Sequence, residues 1–121
     1  MMILKPVSKL LFSLFILTTV IFYQTQPAKA STAMLSSQDI KTYCFSDYDI
    51  DVGYCAGYIT AVADLMVEHR IYGFEACYME LKSPQAMVQK VRGYIRKDPS
   101  IIRGNARYMI AHILAQLYPC Y

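Results

Sequence analysis

Four cysteines, Cys44, Cys55, Cys77 and Cys120, constrain this chain more than any other feature. All four lie beyond a start that reads as a secretion signal. Lys5 and Lys9 form a basic head, Leu10 to Phe22 is an apolar run, and Ala28-Lys29-Ala30 is a small-x-small cleavage box before Ser31. The apolar run is short for a membrane span. Residues 1–30 are therefore expected to be removed, leaving a single domain over 31–121 in the periplasm, with no membrane attachment after cleavage. An even cysteine count in a small exported chain predicts two disulfides. A chain of about 90 residues builds only a modest core, so such bridges matter to its stability.

Removal of the signal changes the charge. The whole chain has 12 Lys+Arg against 9 Asp+Glu, a net +3. Lys5, Lys9 and Lys29 leave with the signal and no acid does, so nine basic groups face nine acidic ones. Nucleic acid is not implied as a partner. Metal binding is not implied either. There is no C-x-x-C, and His69 and His112 have no ligand-like spacing to the cysteines. Asp47, Asp49 and Asp51 are spaced as in a calcium loop. However, Val52 stands where that loop needs glycine, and Tyr58 stands where it needs a bidentate glutamate. These acids are expected instead to complement a helix N-terminus. No metal and no cofactor is expected.

The stretch Tyr54 to Cys77 reads as a central amphipathic helix over about Val52–Arg70. Cys55, Tyr58, Ile59, Val62, Leu65, Met66 and His69 recur at spacings of three and four and predict one inward face. Ala56, Gly57, Thr60, Ala61 and Ala63 would admit a neighbouring helix. Asp64 sits among apolar residues, where a carboxylate must be hydrogen-bonded; Gly57, Tyr58 and Asp64 are thus structural candidates. Gly73 reads as the stop of this helix. Before it, residues 31–36 are expected to fray, and a short helix to run from Ser36 or Ser37 to Phe45 with Ile40 and Tyr43 inward. After it, Ser83-Pro84 starts a helix that runs to Lys97. Its stripe is Met87, Val88, Val91, Tyr94 and Ile95, and Asp98-Pro99 ends it. A last helix has its main body from Asn105, with Ala106, Ile110, Ile113, Leu114 and Leu117 inward, and stops at Pro119. The predicted fold is all-α: a small up-down bundle of three main helices plus a short N-terminal one.

Three disulfide connectivities are possible. With successive helices antiparallel, Cys44 and Cys55 share one end, while Cys77 and Cys120 share the other. A crossed pairing would span a helix of about 16 residues, roughly 24 Å, against the ~4.4–6.8 Å between Cα atoms that a disulfide tolerates. Cys44–Cys55 with Cys77–Cys120 is the preferred set. The same scheme gathers Arg92, Arg96, Lys97, Arg103 and Arg107 at the end that holds Asp47, Asp49 and Asp51.

Catalytic groups are not in view. No G-x-S-x-G, H-E-x-x-H or Gly-rich phosphate loop occurs, and paired cysteines are not nucleophiles. The chain is read as a binding protein and not an enzyme. Setting aside Tyr23 of the signal, it carries ten tyrosines and no tryptophan. Tyrosine and arginine are enriched in protein interfaces. Tyr48, Tyr72, Tyr78, Arg96, Arg103 and Arg107 are the partner-binding candidates, with Tyr121 as a further outward tyrosine.

The ordered set C-A-G-Y-I-T-A-V-A-D, Cys77, Gln85 opening a helix that ends in Tyr94-Ile-x-x-x-Pro99, Ala106, and a terminal Pro119-Cys120 resembles the Rap/Tai immunity proteins. The resemblance covers about residues 44–120. It departs from the family pattern at Ala61, where a second glycine is usual, and at Tyr78-Met79, where a proline shortly follows the third cysteine. The resemblance implies a small helical periplasmic protein, often dimeric, that binds a peptidoglycan amidase effector of type VI secretion and blocks its cleft. Two other readings suit the size and address. One is an acid-stress periplasmic chaperone, released when Asp64 and the Asp47–Asp51 cluster protonate. The other is an orphan structural domain of the same family.

Overall fold

The computed structural model describes residues 34–121, within one unit, Ala33–Tyr121. The expected signal, residues 1–30, lies outside the described residues. Four α-helices follow in order: α1 (Ser37–Cys44), α2 (Asp49–Glu68), α3 (Pro84–Lys97) and α4 (Ala106–Leu117), with a 3-10 turn at Pro99–Ile101 between the last two. Among the described residues there is no strand beyond two isolated bridges, Ser36 with Asn105 and Ile71 with Phe74.

Three helices start at a side-chain cap, which satisfies backbone N–H groups that have no partner within the helix. Ser36 and Asp39 form a reciprocal capping box on α1, with Asp39 N–H donating to Ser36 Oγ at 3.1 Å and Ser36 N–H donating to Asp39 Oδ2 at 2.9 Å. That hydrogen bonding holds the Asp39 carboxyl below its ordinary pKa. Ser83 Oγ accepts from Ala86 N–H on α3, with Pro84 in the first turn, and Asn105 Oδ1 accepts from Tyr108 N–H on α4. Tyr48 at the start of α2 makes no such bond. Asp49 and Asp51 in that first turn offset the helix dipole.

The innermost helix is α4. Ala106, Met109, Ile110, Ala111, Ile113 and Leu114 are all fully buried, and α4 packs on α1, α2 and α3. From α1 come Ile40 and Cys44; from α2, Cys55, Ile59, Val62, Ala63 and Met66; from α3, Met87, Val88, Val91 and Ile95. Each fully buried Ile or Leu contributes about 1.5–3 kcal/mol from burial.

The start of α1 is tied to the start of α4. Ser37 N–H donates to Gly104 O at 2.9 Å, Ser37 Oγ donates to Arg103 O at 2.7 Å, and Ala106 N–H donates to Leu35 O at 3.0 Å. Leu35 also packs on the core, so the chain is anchored from residue 35, where fraying was expected. Cys44–Cys55 closes the other end of α1 onto α2, with Cα atoms 5.0 Å apart.

Several expectations about α2 are corrected. It begins three residues earlier than Val52 and ends at Glu68. His69 is an extended cap, and Gly73 belongs to a separate turn. Leu65 and His69 are exposed, while Ala63 takes an inward place. Asp64 is also exposed and needs no buried partner. Gly57 faces open space, with nothing within 4 Å of where a Cβ would stand.

The connection from α2 to α3 does not stay at one end of the bundle. It turns back and runs along α4. Tyr72 meets Asn105 at the start of that helix, Phe74 stacks on His112 midway, and Cys77 N–H donates to Tyr118 O at its end. The turn at Tyr72-Gly73 and the irregular stretch after it together follow α4, a 12-residue helix ~18 Å long. This strap is fastened by Cys77–Cys120, with Cα atoms 5.1 Å apart. Both disulfides are the preferred pair, although the route to the second is the strap and not the end of α2.

Candidate functional site

The strap opens with a tight turn. Ile71 and Phe74 exchange two backbone hydrogen bonds, at 3.0 and 2.9 Å, around Tyr72 (φ 52°) and Gly73 (φ 80°). Positive φ at both central positions is the type I′ pattern, which favours Asn-Gly. Glycine fills the second position at no steric cost. Tyr72 is the one non-glycine residue among those described with positive φ. A bulky side chain there costs roughly 1–3 kcal/mol, and such residues concentrate at functional sites.

The neighbours of Tyr72 hold that conformation. Its phenol oxygen accepts from Arg107 Nη2 at 2.9 Å and from Asn105 Nδ2 at 3.0 Å. The Arg107 guanidinium also lies over its ring, 5.2 Å from the centroid. The Arg107 hydrogen bond is the main reason that the Tyr72 hydroxyl sits below the ordinary phenol pKa. The ring packs edge-on against Tyr108 at 5.4 Å; Tyr108 in turn meets Phe74, and Phe74 stacks on His112 at 5.0 Å. Tyr58 of α2 lies close enough to feel the charge of Arg107, yet burial dominates and pushes its pKa up. The result is a continuous aromatic surface built from the strap and α4. Tyr72 and Tyr108 remain 47% and 41% exposed, far more than a core would leave. With both acceptor positions of the Tyr72 oxygen filled, its O–H points away as a free donor.

Among the six partner-binding candidates, the structure joins Tyr72 and Arg107. Arg107 is thereby removed from the end where it was expected beside the acidic loop. The arginine cluster is not one cluster. Arg92 and Arg96 lie over the Phe45 ring, at 5.4 and 5.1 Å, and Arg103 Nε donates to Ser100 O. Asp51 accepts from Ser46 Oγ, and the one ion pair among the described residues is Arg70–Glu75. Among the described residues no arginine forms an ion pair with Asp47, Asp49 or Asp51. Tyr48 and Tyr121 are well exposed, as expected. Tyr78 is not outward: its hydroxyl is buried without a partner, it packs edge-on against Tyr118, and burial pushes its pKa up to about 12.

Phe74, Asn105, Tyr108 and His112 were missed as members of this surface. Tyr72-Gly73 between Ile71 and Phe74 was the available signal for the turn, but tyrosine in place of asparagine disguises it. No curated protein sequence matches the chain. The family model for Rap1a immunity proteins matches residues 36–120, spanning all four helices and both disulfides. The chain belongs to the Rap1a immunity protein family.

Proposed function

We propose that this protein is a periplasmic immunity protein that binds a peptidoglycan amidase effector of type VI secretion and occludes its cleft. Family membership supports the class of function. The observation that carries the placement of the contact is Tyr72: an exposed ring on a strained backbone, held in position by Arg107 and Asn105. A rigid aromatic with one free O–H donor and a cation at its face suits a binding hot spot, where a few Tyr, Trp and Arg residues dominate the energy. Inhibition requires no chemistry from the immunity protein, because filling a cleft is enough. Of the carboxylates that an acid-released chaperone would use, Asp47, Asp49 and Asp64 stand exposed, and the half-buried Asp51 accepts from Ser46 Oγ.

The test is capture of the amidase by the exported, oxidised protein, with loss of amidase activity at equimolar addition. Tyr72→Asn is the informative variant, because asparagine tolerates positive φ. It should leave the unfolding midpoint within about 1 kcal/mol of the parent while weakening amidase binding at least ~30-fold, in the range of a hot-spot truncation. Undiminished inhibition by Tyr72→Asn would remove this face from the interface.

A further inference from the structure

A second feature shares no residue with the Tyr72 surface. Phe45, Ile95, Pro99 and Ile102 form the apolar lining of a cavity of about 320 Å³ between α1, α3 and the 3-10 turn. Lys41 and Arg96 complete the lining. Phe45 is the common element: its ring lies beneath the guanidinium of Arg96 and also that of Arg92. Among the described residues none of these three cations is in an ion pair. Arg92 Nε is buried with no hydrogen-bond acceptor, and Arg92 Nη1 makes one long bond, 3.4 Å, to Gln89 Oε1. Two acids of adjoining segments, Asp98 and Asp51, hydrogen-bond serines and not these cations. Asp98 accepts from Ser100 N–H and Oγ, and Asp51 accepts from Ser46 Oγ in the first turn of α2, where Asp49 also lies.

We infer that this cavity is a receptor for a peptide segment of a protein partner that presents an apolar side chain flanked by carboxylates. The apolar floor takes the side chain. Lys41 and Arg96 at the wall supply the positive charge for the acids, and stacking on Phe45 holds Arg96 in an ordered position with donors left free. Cationic side chains that flank an apolar hollow and make no ion pair among the described residues are the argument. A solvated cation needs no partner, but Lys41 and Arg96 flank one apolar hollow, and an anion seated there is attracted by both. The inference deepens the effector-binding reading and rests on it only for the source of the segment; the chemistry of the cavity is testable without any effector.

The test is titration of the isotope-labelled, oxidised, exported protein with acetyl-Asp-Phe-Asp-amide, followed by amide shifts. Saturable shifts at Lys41, Phe45, Ile95, Arg96 and Ile102 are expected, with a Kd on the order of 1 mM for so small a probe. The uncharged acetyl-Asn-Phe-Asn-amide should bind at least ~10-fold more weakly, as should the acidic probe to a Lys41→Gln, Arg96→Gln variant. Raising the salt should weaken the acidic probe alone. If that variant misfolds by circular dichroism, Arg96→Gln alone serves the same purpose at an exposed position. Absence of saturable shifts, or equal binding of the acidic and uncharged probes, overturns the proposal. So does a dimer in sedimentation that Arg96→Gln dissociates, since the cavity would then serve a second copy of this chain. None of these failures touches the Tyr72→Asn inhibition assay, so the two readings fall separately.

Discussion

The helices α2 and α3 are held in place by different means. α3 carries its own instructions: a Ser83 cap, Pro84 in the first turn, one apolar stripe, and Arg96 and Lys97 in its last turn, where the dipole favours cations. α2 is longer and apolar on most sides, enough in length and composition to pass for a membrane span, and it has no side-chain cap. It is located instead by a disulfide near its start and by the strap beyond its end. Ile50, Tyr54, Leu65 and Val67 on α2 are left more than half exposed. An apolar helix with no polar face cannot choose its inward side by periodicity, so covalent and long-range contacts choose it.

Removing the bridges should break this contrast most severely. In the loop-entropy model, replacing Cys77 and Cys120, 43 residues apart, costs about 4 kcal/mol, and replacing Cys44 and Cys55, 11 apart, about 3 kcal/mol. Urea unfolding of the two double variants measures both. Loss of Cys77–Cys120 should also free the strap, read as rapid proteolysis between α2 and α3.

Truncation inside the core should erase the difference between the helices. Ile59→Ala on α2 and Ile95→Ala on α3 remove side chains that are 0% and 1% exposed, and each should cost about 3 kcal/mol. Val67→Ala, on the outer side of α2, should stay within about 0.5 kcal/mol. A large cost at Val67 would mean that α2 is turned differently about its axis.

Caps sharpen the comparison further. Ser83→Ala should destabilise by about 1 kcal/mol, whereas Tyr48→Ser should stabilise α2 by a similar amount by adding the cap it lacks. Thermal midpoints of the pair decide this.

A pH-dependent effect concerns the strap. Tyr78 has its folded pKa pushed up to about 12 by burial, against about 10 in the unfolded chain. Its raised value means that its contribution is fully present below pH ~10 and is lost as the pH climbs towards ~12, because the unfolded phenol ionises first. Tyr78→Phe should flatten that alkaline decline. At neutral pH it should be neutral or stabilising by up to about 1 kcal/mol, since the buried hydroxyl has no partner to lose.

Much of α3 and α4 was legible from the chain because caps and stoppers are local. Ser83-Pro84, Asn105 and Asp98-Pro99 act within one turn of themselves, and the boundaries fell where these residues put them. The inward face of α2 was only half legible. Leu65, His69 and Asp64 fit the helical spacing but ended outside, since spacing selects a face only when the opposite face is polar. The Tyr72 surface was legible only as separate names. Tyr72 and Arg107 were both candidates, but they are 35 residues apart, and the path of the strap is what joins them.

By itself, the sequence determined the presence of the helices and the caps of α3 and α4, and it favoured one disulfide set, because these depend on neighbours a few residues away or on how far a helix reaches. The tertiary structure alone decided that α4 is the innermost helix, that the strap runs back along it, and that two arginines meet over Phe45. These depend on which apolar faces cover one another, and a chain with more apolar surface than its core can use leaves that choice to the packing.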